Sequence, residues 1–104
     1  MRIGIDVSIF TRTDGSYGHA TGTIELELIP QVGDTLSFVF PKIAGAAIPR
    51  GFAGVLKVSD RVLDVAGKTP ITLMLEDLML GSVEDARAVS KYLADGFEMI
   101  VNVH

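Results

Sequence analysis

The chain contains no cysteine. That removes disulfide staples, thiolate metal sites and cysteine nucleophiles together. A reducing, cytoplasmic setting is then the simplest expectation. Histidine is scarce as well, with only His19 and His104 present. They lie far apart in the sequence, and no acidic triplet has the spacing of a metal loop. Neither a metal nor a cofactor is therefore expected. Basic residues are in deficit: 9 Lys and Arg stand against 13 Asp and Glu, for a net charge of −4. Nucleic-acid binding draws on many phosphate contacts from Lys and Arg, so that class of partner is disfavoured. Long apolar runs are missing too. The most apolar stretch, ITLMLEDLML (71–80), is about half of the ~20 residues a membrane helix needs and carries Glu76 and Asp77. The N-terminal MRIGIDVSIF is interrupted by Asp6 and Ser8 and lacks the continuous apolar core of a signal peptide. A soluble protein with no membrane partner is expected.

What is present points to one domain, 1–104. A chain of this size buries somewhat over ~60% of its unfolded surface and can fold without staples. Hydrophobic residues make up 48% and the mean hydropathy is +0.41. Small domains have little interior, so some apolar surface is expected to meet a second chain.

Residues 2–10 alternate, with Ile3, Ile5, Val7 and Ile9 on one face and Gly4, Asp6 and Ser8 on the other. Period two predicts a half-buried strand. Residues 23–29 repeat the pattern through Ile24, Leu26 and Leu28. The two predict a long hairpin in which facing residues sum to an odd number and no bulge is needed. One register pairs Ile9 with Ile24; a shift by two residues serves equally. The polar stretch TDGSYGHATG (13–22) then becomes the hairpin tip, with Asp14-Gly15 as a turn pair. TLSFVF (35–40) is a third strand after the Gly33-Asp34 turn. PKIAGAAIPRGFAG (41–54) shows no period and is read as a long loop with a short helical turn at 43–47. VLKVSDRVLDV (55–65) is a strand whose phase fails at Asp60 unless a bulge near Ser59-Asp60 resets it. Residues 71–80 are apolar on both faces, as in a central, helix-covered or interfacial strand.

One helix is expected over 82–95. Ser82 suits the N-cap, Glu84 and Asp85 the positive end of the dipole, and Ala86, Val89 and Leu93 form a stripe widened by Tyr92. Gly96 is the expected C-cap, and FEMIVNV (97–103) the final strand. The predicted order β-β-β-β-β-α-β is mainly β and belongs to the α+β class: a small antiparallel sheet or a partly open, SH3-like barrel. The turn PQVGDTL (30–36), with a helical element before the last strand, is similar to a strand–turn pattern of SH3-like barrels. That likeness concerns strands and turns and not family membership.

Chemistry is sparse. His19 is the best acid–base candidate, flanked by Asp14 and Tyr17, but no nucleophile or electrophile partner is evident. The glycines match no phosphate loop and no serine sits in a GxSxG context. Asp60, Asp64, Glu76 and Asp77 could approach across the 55–80 hairpin, though a solvated surface explains them as well. Lys42, Arg50, Lys57 and Arg61 form a mild basic cluster able to meet an anionic ligand or partner. Met74, Leu78, Leu80 and Ile100 are read as outward apolar residues and hence as a candidate interface. The expected function is a non-enzymatic binding or assembly module, acting as a homodimer and open to a further protein partner. The alternative is a small-molecule-binding protein or small enzyme using Tyr17, His19 and Arg50 between loop 41–54 and hairpin tip 11–22.

Overall fold

The computed structural model describes residues 2–39, 48–67 and 71–104. Among these are seven strands and one helix: β1 (Arg2–Thr11), β2 (Gly15–Glu25), β3 (Thr35–Ser37), β4 (Val55–Leu63), β5 (Ile71–Leu75), β6 (Leu78–Leu80), α1 (Val83–Phe97) and β7 (Ile100–Val103). The class is α+β and mainly β, with the helix before the last strand, as the sequence predicts. The sheet itself is mixed and open. Its strand order is β3-β4-β5-β1-β2-β7, and β6 continues β5 alongside β1. β1 runs parallel to β5 and β6 and antiparallel to β2. The small antiparallel sheet or partly open barrel expected from the sequence takes the form of an open mixed sheet, with β3 and β7 as its edges.

Helix α1 lies on one face of the sheet, where the core forms. Alternation in β1 puts Ile3, Ile5, Val7 and Ile9 there, each almost fully buried. Leu73 faces Ile5 across the parallel ladder, and Leu78 faces Ile9. The helix contributes Ala86, Val89, Ser90 and Leu93, the i, i+3, i+4, i+7 set of one face. Ser90 resolves its own burial by donating to the Ala86 carbonyl at 2.8 Å. At the margin, Tyr92 meets Phe52 and Phe97, and Phe97 meets Phe38 edge-on at 5.0 Å.

The caps are partly as expected. Ser82 Oγ accepts from the Asp85 N–H at 3.2 Å, and Lys91 pairs with Asp95 at 3.0 Å. Gly96, however, lies within the helix. The left-handed C-cap is Glu98, at φ 54°, and its N–H reaches the Leu93 carbonyl. The final strand accordingly begins at Ile100 rather than at residue 97.

The first hairpin is longer and its tip shorter than predicted. Val7 faces Ala20 and Ile3 faces Ile24, an odd-sum register as required, but moved well beyond a two-residue shift. The chain turns at Arg12–Asp14, so GSYGHAT is strand, not tip. A bulge does occur: Ile9 faces Gly18 while Phe10 faces Ser16, leaving Tyr17 as the inserted residue. β2 ends at Glu25, and Leu28 is exposed instead of inward. The bulge anticipated in the fourth strand is present, between Val58 and Asp60. The helical turn expected at 43–47, and Phe40, fall outside the described residues.

Candidate functional site

The sheet face opposite α1 carries no second layer among the described residues. Its central rows are polar: Asp6 faces Thr21, and Ser8 faces His19. Its periphery mixes exposed apolar side chains, Met79, Ile100 and Val62 at 52%, 67% and 46%, with the charged Lys57 and Asp60 of β4. Met74 lies half-buried on this face beside Asp6. Two of the four predicted interface residues, Met74 and Ile100, are therefore outward. Leu78 and Leu80 are not. They are 6% and 0% exposed and belong to the core. Glu76 and Asp77 separate β5 from β6 and reset the alternation, so Leu73 and Leu75 point inward before the break and Leu78 and Leu80 after it.

Among the described residues the basic side chains of the expected cluster fall on different rows. Lys42 is outside the described residues. Lys57 is exposed in β4 before the bulge. Arg61, beyond the bulge, faces Leu73 and so shares the core-side row. Arg50 is exposed in the turn that Phe52 closes by donating to the Pro49 carbonyl at 3.2 Å. Gly51 there approaches Leu80, on the side of β1 away from β2, whereas Tyr17 and His19 lie on β2. The predicted grouping of Arg50 with Tyr17 and His19 is thus spread across the sheet.

The carboxylates are likewise occupied locally. Glu76 Oε1 accepts from the Lys57 N–H at 2.9 Å, Asp60 from Arg61 at 2.8 Å and Asp64 from Ala66 at 3.1 Å. Among the described residues no three His, Asp or Glu side chains converge on one point. No buried side-chain polar atom among them lacks a partner either. Thr11, for example, is buried and accepts from the Asp14 N–H at 3.0 Å.

The two histidines, distant in sequence, meet in space. β7 lies against β2 with Asn102 facing His19 and Val103 facing Gly18, and the His104 N–H donates to the Tyr17 carbonyl at 2.9 Å. His104 Nε2 stands 3.3 Å from His19 Nδ1, and its Nδ1 stands 2.8 Å from Ser16 Oγ. The rings are tilted by 50° with centroids 5.5 Å apart, so they do not stack. Tyr17, turned aside by its bulge, packs against the core instead. It shares a cleft of about 380 Å³ with Ser16, Val83, Arg87 and His104 between the hairpin tip and the start of α1. Sequence reasoning singled out His19 and Tyr17 but missed Ser16, Arg87 and the role of His104. The β2–β7 register joins Ser16, His19 and His104, and α1 brings Arg87 to the cleft.

No protein-family model, curated protein or solved structure matches the chain. No helix among the described residues is long and apolar enough to cross a membrane.

Proposed function

We propose that this chain is a binding and assembly module that pairs with a second copy of itself along the outer edge of β7. The observation that carries this reading is the state of that edge. β7 ends the strand order, and its sequence, Ile100-Val-Asn-Val103, holds no Lys, Pro or acidic residue to blunt pairing. Ile100 and Val103 are 67% and 61% exposed on its two faces. A two-fold axis beside β7 would place each of these side chains against the partner's strand, above and below a continuous sheet. Unpaired backbone groups would find partners, and apolar side chains would leave water.

Native mass spectrometry and sedimentation velocity at two concentrations test this. The expected result is a dimer that Ile100→Lys with Val103→Lys converts to a monomer of unchanged fold, whereas Met79→Lys leaves it dimeric. A wild-type monomer at tens of micromolar, or a dimer indifferent to both β7 changes, would overturn the proposal.

A second reading rests on the cleft by Tyr17. Its about 380 Å³ falls within the range of small-molecule sites, and Ser16, Tyr17, Arg87 and His104 supply convergent polar groups. A monomer that carries a co-purified small molecule, lost on Arg87→Ala, would favour this reading over assembly.

A further inference from the structure

We infer that His19 and His104 form a binding site for a divalent transition-metal ion of the zinc and copper class. Two imidazole nitrogens each ~2.05 Å from a tetrahedral ion stand ~3.3 Å apart. His19 Nδ1 and His104 Nε2 are separated by 3.3 Å. The separation of the two nitrogens thus matches that bite, with the ion standing off the line that joins them.

The hydrogen bonding around them favours the same result. Ser16 Oγ lies 2.8 Å from His104 Nδ1, the nitrogen remote from His19. When Nδ1–H donates to this hydroxyl, Nε2 carries a lone pair directed at His19 Nδ1. Metal-ligating histidines are oriented in this way, by a hydrogen bond from the second nitrogen. The contact is then an imidazole–imidazole hydrogen bond, with His19 Nδ1–H donating to that lone pair, and a metal ion bound here replaces this proton, which leaves to solvent. The backbone holds the pair in place, since both residues sit on the β2–β7 ladder, which His104 extends through its bond to Tyr17. The sheet neighbours Ser8, Thr21 and Asn102 are neutral, and the chain's net charge of −4 attracts cations. The adjoining cleft holds charges of both signs, Asp14 favouring a cation and Arg87 opposing it.

With two protein donors, water fills the remaining positions and the ion stays open to an outside ligand. The site lies on the inner side of β7, so it does not depend on self-association at the outer edge.

The test is calorimetric titration of the tag-free full chain with ZnCl₂, read alongside long-range ¹H–¹⁵N spectra of the two imidazoles. One saturable Zn²⁺ per chain is expected, with both rings shifting. Cu²⁺ should bind more tightly, and Mg²⁺ should not compete. His19→Asn and His104→Asn should each abolish saturable binding, and Ser16→Ala should weaken it ~10-fold as the loss of an orienting partner. His19 is half-buried and His104 exposed, so the metal-free variants should melt with the wild type. Modification of the wild type by diethyl pyrocarbonate, which Zn²⁺ should slow at both rings, gives a readout independent of the variants. Absent saturable Zn²⁺ binding, binding that survives either histidine substitution, or undiminished modification with Zn²⁺ present would each overturn the inference.

Discussion

Gly18 is the position at which the structure makes its most demanding claim. A methyl carbon added there would stand 2.2 Å from the Asn102 carbonyl oxygen and 3.0 Å from Val103 Cα. Carbon–oxygen contacts relax near ~3.3 Å, so Gly18→Ala requires β7 to retreat by about 1 Å. Both obstructing atoms are backbone, so no side-chain rotation relieves the clash. Overpacking in ordered cores costs ~1–3 kcal/mol, and a backbone clash belongs at the upper end, about 3 kcal/mol. At ~4 °C per kcal/mol for a domain near this size, the melting temperature should fall by about 12 °C.

Two neighbours on β2 serve as internal controls. An added carbon at Gly22 meets Met99 Cγ at 3.1 Å and Met99 Cα at 3.4 Å, so the buried Met99 need give only by a few tenths of an ångström and Gly22→Ala should cost about 1 kcal/mol. Gly15 has open space but a φ of 77°, so Gly15→Ala should cost about 1 kcal/mol from backbone strain alone. Urea and thermal unfolding rank the three variants, and hydrogen exchange locates the damage. In Gly18→Ala the β7 amides should exchange by local opening while the β1 amides keep their protection. Should Gly18→Ala fall within ~1 kcal/mol of Gly22→Ala, β7 would not lie against β2 as described, and the histidine pair would lose its support.

Three further outcomes follow from the same structure. Leu93 is fully buried on the core face of α1, and Leu93→Ala should cost ~3 kcal/mol in urea unfolding with an unchanged m-value. Ser82→Ala deletes the bond to the Asp85 N–H and should lower stability by ~1 kcal/mol, read as a lower melting temperature. Glu98→Gly should act in the opposite sense. It relieves a non-glycine residue at φ 54° in the C-cap and should raise stability by ~0.5–1 kcal/mol, though glycine's freedom in the unfolded chain offsets part of the gain.

The elements that depend on local periodicity were readable in the sequence. β1 follows from the spacing of Ile3, Ile5, Val7 and Ile9, and α1 from Ser82 and the stripe Ala86, Val89, Leu93. Those patterns report which side of a single element meets the core, and nothing in the fold competes with them. The neighbours of β1 were another matter. Its placement between β2 and the parallel β5 joins segments distant in sequence, and no residue near Ile71 advertises a parallel partner. The C-cap was misplaced for a similar reason. Gly96 has the right chemistry, but the helix runs two residues past its expected end so that Phe97 reaches Phe38, and packing outweighs the local preference.

The candidate sites were harder to read because strand parity survives only until the first irregularity. One inserted residue moves every later side chain to the other face. Three such breaks separate the expected groupings from the observed ones. The bulge at Tyr17 turns that ring from the face of His19 to the core. The bulge after Val58 sends Arg61 to the row opposite that of Lys57. The Glu76–Asp77 interruption carries Leu78 and Leu80 beneath α1, and Met79 outward in their place. Only the Val58–Asp60 bulge announced itself, because it spared a charged residue an inward position. The other two cost nothing visible in the sequence: Tyr17 suits either face, and an unbroken apolar run suits either phase. His104 was further out of reach, since it meets His19 only after the chain has built α1, returned along β2 and closed against Gly18. Side chains that combine in this way are specified by the register of β7, so a change at Gly18 should disturb the histidine pair as surely as a change in either histidine.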